Sequence, residues 1–109
     1  MIKIINSKAT EQTLKEAAED LEGYIKVVVD VSKEILAAGG ERHVDGEQLL
    51  IKEGSKQQDL WGGGLDLETN EIDFDSMINI RPAQNNPSRE VLDPQIRTKM
   101  QKLIRKLLR

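Results

Sequence analysis

The chain has 109 residues, a length that suits one domain and allows roughly two thirds of the unfolded surface to be buried. It contains no cysteine, which excludes a disulfide framework and a thiol nucleophile, and its net charge of −3 argues against general affinity for nucleic acid. No apolar run reaches membrane length and the opening Met1–Thr10 is too polar for a signal peptide, so the expectation is a cytoplasmic protein without a membrane segment.

Aromatic residues make up only 3% of the chain, so the core must be built from Val, Ile, Leu and Ala. Ile2–Ile5 is short and apolar and reads as a strand. Thr10 is placed to cap a helix running to about Glu22 and stopping at Gly23, with Leu14, Ala17, Ala18 and Leu21 on one stripe. Residues 24–38 admit a helix, but Val27, Val28, Val29 and Val31 favour a hairpin that turns at Ser32 and Lys33. Gly39 and Gly40 break that run.

Asp45 then reads as the cap of a short helix ending near Gly54. A strand follows over about 58–67, and the turn Glu68–Asn70 links it to the clearest strand pattern, 71–81. In that pattern Ile72, Phe74, Ser76, Ile78 and Ile80 alternate with Asp73, Asp75, Met77, Asn79 and Arg81, which would send the aliphatic residues inward and Asn79 and Arg81 outward. Residues 82–92 form a long polar loop, a length common in functional or disordered segments. The final helix has Asp93 as cap and Pro94 in its first turn, with Ile96, Met100, Leu103, Ile104, Leu107 and Leu108 on one face. The expected fold is α+β, a mostly antiparallel sheet of about 4–6 strands with two or three helices packed on one face.

Residues 93–109 carry six basic side chains against one acid, leaving −8 on residues 1–92. A basic helix on an acidic body can dock there or bind another molecule. The glycines Gly62, Gly63 and Gly64 would let backbone N–H groups approach an anion, but no P-loop or dinucleotide fingerprint surrounds them. The favoured account is a bulge or kink using φ > 0. Trp61 is either a core plug or a stacking wall.

Glu41, His43, Asp45 and Glu47 occupy every second position and would share one face of an extended strand, as metal ligands could. The helix expected from Asp45 breaks that geometry, so no metal and no cofactor is expected. His43 is the one side chain with an ordinary pKa near neutrality and the natural general base. Arg81 would either pair with Asp73 or Asp75, or join Asn79 and Arg89 in binding a carboxylate or phosphate. Gln84, Asn85 and Asn86 are candidates by position alone.

Two blocks, Gly54-Ser55-Lys56-Gln57-Gln58-Asp59-Leu60-Trp61-Gly62 and Ile78-Asn79-Ile80-Arg81-Pro82, resemble a small uncharacterised bacterial family known as a domain of unknown function. The resemblance covers about residues 24–109; Arg42, Val44 and Gly64 depart from it. It supplies no activity, but it implies that His43, Asp45, Trp61, Asn79 and Arg81 converge. The function expected is a small binding or interaction module, its polar pocket near Trp61, Asn79, Arg81 and the 82–92 loop, with His43, Asp45, Gly62 and Arg89 as further candidate binding residues. Its partner would be a small molecule or a protein, and a homodimer through a sheet edge or helix face fits either. The alternatives are an enzyme acting on an anionic substrate, with His43 as base, and nucleic-acid binding through the terminal helix.

Overall fold

A computed structural model describes residues 1–109. Five strands, β1 (Lys3–Ile5), β2 (Tyr24–Asp30), β3 (Ile35–Ala38), β4 (Leu60–Asp66) and β5 (Ile72–Asp73), form one sheet in the order β1-β3-β2-β4-β5. Every neighbouring pair is antiparallel. The valine-rich run 24–38 is the expected hairpin, because Val27 and Val29 bury one face while Val28 buries the other. Its turn is closed by Asp30, whose Oδ1 accepts the amides of Ser32 and Lys33 while Oδ2 accepts the Ser55 hydroxyl.

Three helices complete the fold: α1 (Glu11–Ala18), α2 (His43–Lys52) and α3 (Pro94–Leu107). Caps at α1 and α3 are those expected, with Thr10 accepting the Thr13 amide and Asp93 that of Gln95. The helices cover both faces of the sheet and not one. Side chains of α1 and α3 join Val27, Val29, Trp61 and Leu65 in the larger core. On the opposite face, Leu50 of α2 meets Val28, Ala37 and Leu60. Strands β2 and β4 are buried on both faces, which explains their nearly continuous apolar reading.

Two further expectations are corrected. Asp45 does not cap α2: the helix begins at His43 after an extended Arg42, and Asp45 pairs with Arg42 at 3.2 Å. The strand expected over 71–81 ends after Asp73, apart from isolated bridges from Asp75 to Glu90 and from Arg81 to Asn86. Ser76 then accepts the Ile78 amide and starts a 3₁₀ turn at Met77–Asn79. That turn inverts the side-chain parity, so Asn79 is fully buried and Ile80 is 40% exposed.

Candidate functional site

The inverted parity makes Asn79 a structural hub. Where β5 stops, Asn79 takes the place of the missing strand. Its Oδ1 accepts the Gly62 amide at 2.8 Å, and its Nδ2 faces the carbonyls of Gly62 and Arg89, both at 2.9 Å, and that of Phe74 at 3.2 Å. Asn86, also buried, ties the same loop, donating to Asn79, Ser88 and Glu90 and accepting from Leu92. The long 74–92 loop is therefore ordered from within by two asparagines, while Gln84 and Asn85 stay exposed on its outside.

Arg81 does not pair with Asp73 or Asp75. Its guanidinium lies 3.9 Å from the centre of the Trp61 ring and donates to the carbonyls of Gln57 and Leu60. Trp61 is 3% exposed and belongs to the larger core. Neither residue lines the principal cavity, and the acid that does form an ion pair, Asp75, holds Arg89 at 3.1 Å.

The principal cavity, about 540 Å³, opens on the α2 face of the sheet. Strand β2 contributes Tyr24 and Lys26, alternate residues pointing the same way. The start of α2 contributes His43, with Arg42 and Val44 at the rim; β5 and the turn after it contribute Asp73, Asp75, Ser76, Met77 and Ile78. Of the residues singled out from sequence, only His43 and Arg89 line this space; Asp45 stands behind Arg42, and Trp61, Asn79 and Arg81 lie elsewhere.

The three glycines have no positive φ and form no bulge; they run through β4 as ordinary strand residues. Their role is space. A Cβ on Gly62 would come within 2.6 Å of the Ser76 side chain and 3.1 Å of the His43 ring, and one on Gly64 would overlap the Tyr24 hydroxyl. Bare backbone at these two positions is what lets the cavity's polar groups settle onto the sheet.

His43 has one defined tautomer. Its Nε2 lies 2.7 Å from the Gly63 carbonyl, an acceptor, so Nε2 carries the proton. Nδ1 makes no hydrogen bond within the protein and is not sealed from solvent. Burial holds the imidazole pKa below its usual value, and Lys26 pushes the same way. The neutral ring with a free Nδ1 lone pair is thus the form expected at neutral pH. Tyr24 donates to Asp73 at 2.5 Å, and burial followed by that carboxylate holds the phenol far above its ordinary range.

The buried imidazole makes stability depend on pH. The unfolded chain takes up a proton below about pH 6.5, whereas the folded site resists it until lower pH. Stability from this source is complete above that point and falls as pH drops toward the folded pKa. Urea melts of wild type and His43→Gln between pH 5 and 8 should show a steeper acid loss in wild type. Parallel curves would contradict the assignment.

Tyr24 and Lys26 are the site residues that motif reasoning missed. Their signal was the alternation of β2, where Tyr24 and Lys26 sit on the same face as Val28. The alternating acids Glu41, Asp45 and Glu47 and His43 do not share a face, because α2 separates them, and nowhere do three His, Asp or Glu side chains converge. Ser76 lies beside His43, yet its Oγ accepts the Ile78 amide and neither imidazole nitrogen bonds it, so no serine–histidine dyad is formed. No helix is long and apolar enough to cross a membrane.

A family model described as a protein of unknown function (DUF5674) matches residues 3–107. No curated protein and no solved structure matches the chain. The expected kinship with a domain of unknown function therefore holds.

Proposed function

This chain belongs to the DUF5674 family of proteins of unknown function, and we propose that it is a cytoplasmic binding module for a small anionic molecule held over β2 and β4. One observation carries the reading. Of the six ionisable acids and bases other than His43 and Tyr24 around the cavity, five have internal partners: Arg42 with Asp45, Asp73 with Tyr24, Asp75 with Arg89, and Glu90 with Arg97. Lys26 alone has none, although it is partly buried. A partly buried lysine without an internal partner leaves a positive charge free at the cavity, and an anion entering there supplies the partner.

Lys26 is close enough to influence the protonation of His43. A ligand held by Lys26 is therefore within reach of the free Nδ1, which accepts a hydrogen bond. The matching chemistry is a carboxylate or phosphate with a neighbouring hydroxyl. Exposed Val44 and Met77 add an apolar lip. Amide NMR titrations with inorganic phosphate, malate and uncharged glycerol test this. Malate or phosphate should shift Lys26, His43 and Met77, and Lys26→Met should weaken that binding by roughly tenfold, as loss of a charge-assisted hydrogen bond implies. Equal response to glycerol, or no effect of Lys26→Met, counts against it.

The tautomer of His43 favours a second reading, in which Nδ1 is the general base of an enzyme acting on the same anion. The anchor would then be Lys26 and not Arg81. Turnover abolished by His43→Ala, with Lys26→Met raising KM, would support catalysis over binding alone.

A further inference from the structure

The apolar side of α3 is spent inside the fold: Met100, Leu103, Ile104 and Leu107 are buried against the sheet. Its basic residues behave differently from one another. Arg97 lies over the Phe74 ring and pairs with Glu90, and Arg109 donates to the Leu67 carbonyl. Lys99, Lys102, Arg105 and Lys106 find no acid and no hydrogen-bond acceptor in the chain. Four of the six cations of residues 93–109 are therefore not paired with the acidic body. At about 100° per residue Lys99, Lys102 and Lys106 fall within one stripe, about 10 Å long, on the exposed side of the helix, and Arg105, half-buried with its Nη1 closed to solvent, lies at its edge. Two shallow depressions flank it, one bounded by Val31 and Glu34, the other by Thr98 and Gln101.

We propose that this stripe is a docking surface for the phosphodiester backbone of a duplex nucleic acid. Protein interfaces are anchored by buried aromatic or aliphatic side chains; the stripe offers charge, Thr98 and Gln101, with no exposed apolar anchor. Insertion into a membrane needs the apolar face of the helix, which is committed to the core. Single strands are held by stacking on aromatic rings, and the aromatic residues Trp61, Phe74 and Tyr24 lie in the core or on the α2 side of the sheet. What remains is recognition of regularly spaced phosphates by lysine and arginine, with no reading of bases. The net charge of −3 confines this binding to the stripe and keeps it sensitive to salt.

Fluorescence anisotropy with labelled 30-base-pair DNA and RNA duplexes of arbitrary sequence tests the proposal. Three to four phosphate contacts predict an affinity falling about 40- to 150-fold between 50 and 200 mM salt. Lys99→Glu/Lys102→Glu/Lys106→Glu should reduce duplex binding at least tenfold while leaving the circular dichroism spectrum and the malate response of the cavity unchanged. The proposal is overturned by absence of binding at 50 mM salt, or by binding that survives the triple reversal. Stronger binding to single strands, to polyglutamate or to phosphatidylserine vesicles than to duplex also overturns it, each assigning the stripe to another class of partner.

Discussion

Asn79→Ala is expected to lower the free energy of unfolding by about 2–5 kcal/mol, since it strands the buried N–H and C=O of Gly62 at about 1–3 kcal/mol each. The carbonyls of Phe74 and Arg89 suffer less, because they also accept the amides of Val91 and Ser76. The loss should exceed what deletion of a surface amide could cause, which is usually within about 0.5 kcal/mol. Asn79→Asp makes the comparison sharper. It keeps an acceptor for the Gly62 amide but turns a carboxylate oxygen toward three carbonyls, so it should destabilise strongly and more so at neutral than at acid pH. Urea denaturation of both variants against wild type is the measurement. A loss below about 1 kcal/mol for Asn79→Ala would show that β4 does not depend on this side chain as a strand partner.

The same residue shows where sequence reasoning stops. The alternation through Ile72, Asp73, Phe74 and Asp75 is a true strand signal, with Ile72 and Phe74 packing in the larger core and Asp73 and Asp75 lining the cavity, but Ser76 already lies beside His43 on the cavity face. Nothing in the pattern marks the change of parity at Ser76, because the turn is set by a local hydrogen bond from the Ile78 amide to Ser76 and by the distant demand of Gly62 for a partner. The terminal helix was legible in full, since its cap, its Pro94 and its apolar arc are local properties. The hairpin of β2 and β3 was legible through its valine content, whereas the part played by Asp30 in closing the turn emerges only from its hydrogen bonds. That α2 covers the opposite face of the sheet from α1 and α3 is a tertiary fact, though burial of Val27, Val28 and Val29 in succession hints at it. For the site, His43 was recognisable by type and Arg89 by position. Lys26 was not, because a lysine on a strand signifies something only once the other ionisable groups around it are seen to have hydrogen-bond or ion-pair partners.

Gly63→Ala is expected to cost about 1–3 kcal/mol, the range of overpacking in a close-packed interior. Its Cβ would overlap the backbone carbonyl of Asp73, which cannot yield without drawing β5 away from β4. Gly64→Ala meets a different obstacle, the Tyr24 hydroxyl, at the end of a side chain that can rotate. The strand pairing then survives, and the cost is the Tyr24–Asp73 hydrogen bond together with the shape of the cavity floor. A double-mutant cycle separates the two mechanisms. In a Tyr24→Ala background the obstacle to Gly64→Ala is gone and its penalty should nearly vanish, whereas the penalty for Gly63→Ala should persist undiminished. Gly64→Ala alone should also weaken the malate response at Lys26 and His43 while the protein stays folded. If both alanines cost the same in both backgrounds, the glycines serve the strand alone and the cavity owes nothing to them.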